Sequence, residues 1–201
     1  MSFTKKDFIN FWGDGYLETF DGYNFTHEQI YEKAIKPFES KEKICLEIGC
    51  GGGFWINTYL KKCFKEVIGI DVIPKSINID CKYFELNNQD YSCTPIEDNS
   101  IDFVWCFGVF CHLPNSTVKE YVKNIMRILK HSGEAVLMFP NWNNHNRLKN
   151  IEDRENFKED VYSELDWYYI NYKEILKNIK YKELYPEFRD ALIYIKKENK
   201  R

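Results

Sequence analysis

The chain has 201 residues, of which 44% are hydrophobic, 29% charged and 17% aromatic, a length and composition that suit one α/β domain with its own core. A net charge of -3 without a basic stripe argues against duplex nucleic acid as a partner. Seven scattered cysteines, odd in number and with no CxxC pair, argue against a disulfide framework or a zinc site and fit reduced thiols.

In chain order, residues 1–40 read as an aromatic-rich helical preface. "FTHEQIYEKAIKPF" spaces Phe25, Ile30, Ala34 and Phe38 at roughly helical intervals, with Thr26 as a cap and Pro37 weakening the end. Residues 43–49, "KICLEIG", predict a buried strand, followed by a helix from about Phe54 to Lys62. "EVIGID" at 66–71 predicts a second strand, and the segment after it is too short for more than a helical turn. Residues 82–86 and 101–109 predict a third and a fourth strand. Asn115 or Ser116 caps a helix reaching about Lys130, with Val118, Val122, Ile125 and Leu129 on one stripe and Gly133 past its end. A fifth strand covers 133–140. The polar run 141–168 reads as an insertion or lid. A helix at 172–179 and two strands, "KYKELYPE" and "DALIYIKK", close the chain. This alternation predicts a parallel sheet covered on both faces, with a terminal hairpin that turns one strand antiparallel.

Ligands of such sheets bind outside the carboxyl ends of the strands. Glu47, Asp71, Asp90 and residues 107–112 all fall at or just after those ends. The segment "LEIGCGGGFWI" is the sharpest signal. Gly49, Gly51, Gly52 and Gly53 permit a tight turn and let a ligand touch main chain, and the helix that follows offers N–H donors. A P-loop would need GK[ST], and here Phe54 and Trp55 follow Gly53. A dinucleotide fingerprint would need glycine where Phe54 stands, and would set a pyrophosphate beside Glu47. A ligand with an ammonium group resolves the conflict, because Glu47 receives the ammonium while the loop accommodates a ribose and an amino-acid chain.

On these residues the chain resembles the class I S-adenosylmethionine-dependent methyltransferases. "LEIGCGGGF" is similar to their first motif, with Glu47, Gly49, Gly51 and Gly53 in register and Cys50 at a variable loop position. "VIGIDV" is similar to the second, and "NNQDYSCTPIEDNSIDFVWCFGVFCHLP" to the third and fourth. The resemblance implies a three-layer doubly wound Rossmann-like sheet, mostly parallel with an antiparallel last strand, plus an N-terminal helical cap. It implies S-adenosylmethionine as cofactor and S-adenosylhomocysteine as product. Asp71, with Val72 beside it, would bind the ribose hydroxyls, since a carboxylate accepts from two donors. Asp90 and the Tyr91 backbone would meet adenine, and Phe107 and Gly108 would lie along the methionine arm. One domain then spans 1–201: a cap at 1–40, a cofactor-binding core at 43–140, a substrate-side insert at 141–168, and a closing helix and strands at 169–201.

Methyl transfer asks chiefly for proximity and an in-line acceptor. His112, after the fourth strand, is the candidate base for a hydroxyl acceptor, with local hydrogen bonding as its plainer role. Trp12, Tyr16, Asn141, Trp142, His145 and Arg147 are the candidates for the acceptor side, each weighed against ordinary packing or surface exposure. His27 could face the pocket from the N-terminal cap, with a solvated helix position as its plainer role. The four histidines make no metal set. The "MSFTKKDFIN" start lacks a signal-peptide run and no segment approaches a membrane span, so a cytoplasmic protein is expected. The expected reaction is methylation of oxygen or nitrogen on a small polar metabolite, sugar or nucleotide-linked intermediate, as in capsule phosphoramidate or polysaccharide pathways. The expected partners are a small-molecule acceptor, no nucleic acid, no membrane, and at most a second copy of the chain as a homodimer. The alternatives are a non-catalytic cofactor-binding partner subunit and a nicotinamide-dependent oxidoreductase.

Overall fold

A computed structural model describes residues 26–75, 79–86, 91–141, 170–186, 188 and 190–198. Seven strands form one sheet in the order β3-β2-β1-β4-β5-β7-β6. They are β1 (Ser40–Ile48), β2 (Phe64–Asp71), β3 (Lys82–Glu85), β4 (Ile101–Cys106), β5 (Leu129–Phe139), β6 (Tyr181–Glu183) and β7 (Ala191–Lys196). The strands from β3 through β5 pair in parallel; β7 runs antiparallel to both β5 and β6. The predicted mostly parallel sheet with a reversed last strand is the one observed. Strand order reverses between β1 and β4, which opens a crevice at their carboxyl ends.

Two cores lie on the two faces of the sheet. Side chains alternate along β1, so Cys45 and Glu47 look one way and Leu46 and Ile48 the other. On the Leu46 face pack helix α3 (Asn115–Ile128), through Val118, Val122 and Ile125, and the short α4 (Tyr172–Ile175). On the Cys45 face pack α1 (His27–Ala34), through Ile30 and Ala34, and the helix after the glycine loop. Thr26 caps α1 as predicted, in a capping box with Gln29. The helix after the loop winds as a π-helical turn at Ile56–Leu60 before the short α2 (Lys61–Cys63).

Several local expectations are corrected. The α3 cap is Pro114, not Asn115; Asn115 is buried inside the first turn, where its Oδ1 accepts the Asn171 N–H at 3.2 Å. The chain passes straight from α3 into β5 at Leu129, so Gly133 lies within the strand. There a Cβ would come within 2.9 Å of the Lys130 carbonyl. Strand β4 ends at Cys106 because the backbone turns at Gly108, at φ 72°. Helix α4 ends at Ile175, short of position 179. The shortened segment after β2 forms no helix among the described residues.

The apolar stripe of α3 is the main cover of one sheet face. Truncating the fully buried Ile125 to alanine is expected to cost about 3 kcal/mol, as for other large-to-small core changes. Urea unfolding of the variant measures it.

Candidate active site

The carboxyl ends of β1, β2 and β4 bring the predicted loop residues together. At the end of β1 stands Glu47, only 2% exposed. It pairs in register with Gly69 on β2 and Trp105 on β4. Burying a carboxylate is costly unless a cation or donors meet it, so an ammonium arriving here finds a matched partner.

After Ile48 the chain turns tightly. Gly49 N–H and Cys50 N–H both donate to the Ile70 carbonyl, at 2.8 and 3.4 Å, and Gly53 N–H donates to Cys50 O at 2.7 Å. Gly49 needs its glycine twice over: φ is 71°, and a Cβ would sit 2.2 Å from Val109 Cγ2. Gly51 differs. Its φ is 49°, yet a Cβ would meet nothing within 4 Å, and the same holds for Gly108 at φ 72°. Two glycines, one after β1 and one after β4, thus border open space where a ligand can approach main chain. Cys50 is buried, and the room left by the missing side chain of Gly69 receives its Sγ. Burial pushes its thiol well above the usual range, which makes it an inert packing group.

Asp71 ends β2 and gathers the loops. Its Oδ2 accepts Gly51 N–H at 2.7 Å, and its Oδ1 accepts Val72 N–H at 2.6 Å and Ile73 N–H at 3.2 Å. Burial raises its pKa, and the three amides oppose that shift. A carboxylate offers about four acceptor sites, so with three amides bound Oδ2 retains room for a hydroxyl donor. Tyr91 is half-buried and packs on Tyr121 with ring centroids 5.4 Å apart. Phe107 turns inward, stacked on Trp105 at 5.6 Å and near Trp55 at 5.2 Å, which leaves its backbone toward Gly108. Half-buried His112 closes a 3-10 turn at Phe110–His112. Asn141 follows β5, and its N–H donates to Asp190 Oδ1 at 3.3 Å. Trp12, Tyr16, Asp90, Trp142, His145 and Arg147 lie outside the described residues.

Of two neighbours of this region, the sequence reading gave His27 the wrong plainer role and passed over Asp190. His27 is not a solvated helix position: its ring packs on Phe54 at 4.3 Å and Trp55 at 5.4 Å, just after the glycine loop. Asp190, 1% exposed, precedes the reversed β7 and so reaches the same pole of the sheet as the ends of β1 and β4. A histidine four residues from Tyr31 gives no sequence signal for such packing. An acid at the start of an antiparallel strand does, once that strand's direction is known.

The donor set fits S-adenosylmethionine: a buried carboxylate for an ammonium, a second carboxylate with spare acceptor capacity for a ribose, and an open glycine cradle between them. Among the described residues no group of histidines, cysteines and carboxylates is arranged to hold a metal ion. No helix of the described residues is long and apolar enough to cross a membrane.

Comparison with known proteins agrees with this fit. The family model Methyltransf_11, a methyltransferase domain, matches residues 46–137. A methyltransferase-like protein of Schizosaccharomyces pombe is 32% identical over 103 residues, 50% of this chain and 38% of that protein. The tRNA U34 carboxymethyltransferase of Aliarcobacter butzleri is 27% identical over 111 residues, 51% of this chain and 36% of that protein. The chain therefore spans well under half the length of these curated relatives. Among solved structures, the Burkholderia thailandensis 1,6-didemethyltoxoflavin-N1-methyltransferase, with its substrate and S-adenosylhomocysteine, superposes with TM-score 0.63 at 12% identity, over 97% of this chain and 87% of that one. A complex of the Haloferax volcanii Trm112 methyltransferase activator with a methyltransferase matches with TM-score 0.58 at 15% identity, over 86% of this chain and 92% of that one. At such identities the structures speak for the fold.

The matches correct one expectation. A small-molecule acceptor, with no nucleic acid and no partner beyond a second copy, does not stand beside relatives that are tRNA-modifying enzymes. Net charge sums the whole surface, whereas an acceptor meets only the field of one cleft, so it does not decide between acceptor classes.

Three measurements probe this geometry. Gly49→Ala is expected to lose about 3 kcal/mol, from left-handed strain plus the clash, and Val109→Ala in the same chain to restore part of it. Gly51→Ala is expected to lose only about 1 kcal/mol of stability but most of the S-adenosylhomocysteine affinity, read by calorimetry. Burial pulls the His27 imidazole from 6.5 down to about 4. The folded ring therefore resists a proton that the unfolded chain accepts, and stability falls as pH drops from 6.5 toward 4. His27→Phe is expected to flatten that slope by about 1 kcal/mol, since the ring keeps part of its surface in water.

Proposed function

We propose that this chain, a class I Rossmann-like S-adenosylmethionine-dependent methyltransferase, modifies a nucleoside of an RNA. The observation that carries the cofactor half is the cradle: Glu47 and Asp71 at adjacent strand ends, with open space at Gly51 and Gly108. What supports the acceptor half is the run of tRNA U34 carboxymethyltransferases among the curated relatives.

In this reading Glu47 receives the ammonium of the amino-acid end, and the backbone at Gly49, Gly51 and Gly53 lets that end lie against main chain. Asp71 receives a ribose hydroxyl at the remaining acceptor site of Oδ2, and its grip on Gly51 N–H keeps the loop in place to do so. Val72 follows the ribose. Asp90 and Tyr91 flank adenine, while Phe107 and Gly108 line the methionine arm.

The cofactor, when bound, supplies an electrophilic methyl group on a sulfonium; the protein supplies position and the exclusion of water. His112, on the turn after β4, takes the acceptor's proton if the acceptor is a hydroxyl. Asn141 and the insert residues Trp142, His145 and Arg147 contact the acceptor, with Trp12 and Tyr16 from the cap. The seven free cysteines suit a cytoplasmic setting.

The test pairs methyl-labelled S-adenosylmethionine with total tRNA, followed by nucleoside mass spectrometry. The expected result is one labelled nucleoside, absent when Asp71→Ala replaces the wild type. Label appearing only in RNA-free metabolite extract would sink the acceptor assignment. His112→Ala is expected to keep S-adenosylhomocysteine affinity and lower turnover about a hundredfold or more; unchanged turnover would remove the base.

A further inference from the structure

The loop that joins β3 to β4 carries Tyr91 yet has no regular structure over residues 91–100. One face of α3 holds it. Thr117 lies beside the Tyr91 phenol, Tyr121 packs on its ring, and Asn124 Nδ2 donates to the Tyr91 carbonyl at 3.3 Å. Arg127 does most. Its guanidinium donates to Ser92 O at 2.7 Å, Cys93 O at 3.4 Å and Ile96 O at 3.2 Å, and pairs with Asp98. Positions 117, 121, 124 and 127 follow the helical repeat, so one stripe grips the whole loop.

Two further features show how tightly that loop is set. Cys93 is fully buried with φ 53°, a left-handed conformation that a cysteine adopts only when its surroundings enforce it. Arg127 binds the carbonyls on both sides of that turn. In return, Asn99 N–H and Ser100 N–H donate to Arg127 O and Ile128 O, at 3.2 and 2.9 Å, so the loop caps the end of the helix that holds it. A planar fork with several fixed donors suits such a cluster of carbonyls, and an ammonium does not.

We propose that Arg127 is a positioning residue for cofactor binding: it sets the adenine side of the pocket by fixing the loop that carries Tyr91, without touching the cofactor itself. The proposal rests on the cofactor reading above. It predicts a loss that depends on the base. S-adenosylhomocysteine and S-ribosylhomocysteine, which lacks adenine, are titrated against wild type and Arg127→Met, the weaker ligand by displacement. S-adenosylhomocysteine is expected to weaken about tenfold or more, and S-ribosylhomocysteine to change less than about twofold. Equal losses for both ligands would mean general damage, and no loss for either would mean an idle staple; each overturns the proposal. Arg127→Lys is expected to behave like the methionine variant. If Arg127→Met gives no cooperative melt, Asn124→Ala, which removes the acceptor of Arg127 Nε and the donor to the Tyr91 carbonyl while the guanidinium keeps its bonds to the loop, carries the same comparison with an expected loss of about threefold for the adenine ligand alone. Asp71→Asn separates the two failures: both ligands carry the ribose, so both should weaken, and if neither does it is the cofactor reading that falls.

Discussion

The site hangs on the three amide hydrogen bonds of Asp71. One oxygen holds Gly51 N–H from the loop after β1, and the other holds Val72 and Ile73 N–H from the segment after β2. A single carboxylate therefore ties the loop after β1 to the segment after β2, beside the Gly49 and Cys50 N–H bonds to the Ile70 carbonyl. It does so while burial pushes against its ionised form, so the charge is kept where donors have already been arranged for it. Among the described residues after β2 no helix forms, so this clamp is what shapes their start. Tyr83, whose hydroxyl donates to the Ile73 carbonyl, supports the same stretch from β3.

The glycines divide into two kinds. Gly49 and Gly53 are required by their neighbours, because a Cβ would strike Val109 in one case and Ile79, at 2.6 Å, in the other. Gly51 and Gly108 are required by nothing in the described protein except their backbone angles. The first pair builds the turn. The second pair leaves room beside main chain, one glycine after β1 and the other after β4.

What could be read from the sequence was whatever is local. An acid before a glycine run, and an acid closing the next strand, announce their chemistry within a few residues, and both stand where they were expected. The sheet was readable for the same reason: apolar strands with short breaks leave few topologies. What could not be read depends on distant partners. Arg127 looks like an ordinary cation at a helix end; its acceptors are main-chain carbonyls of residues 92, 93 and 96. His27 became half-buried only because Phe54 and Trp55 present a surface to it. A whole-chain charge carries no information about direction, so it does not single out an acceptor class.

The reversed strand β7 has a consequence for how the molecule is held together. Its leading end places Asp190 beside Asn141, at the pole where the loops gather. Its trailing end leads to Lys197, whose ammonium binds the carbonyls of Arg127 and Leu129 and the side chain of Asn99 at the opposite pole. Between them lie six residues of fully extended backbone, a span of about 20 Å, hydrogen-bonded to β5 along its whole length. The one strand therefore joins the pole where the loops gather to the root of the helix that grips the Tyr91 loop.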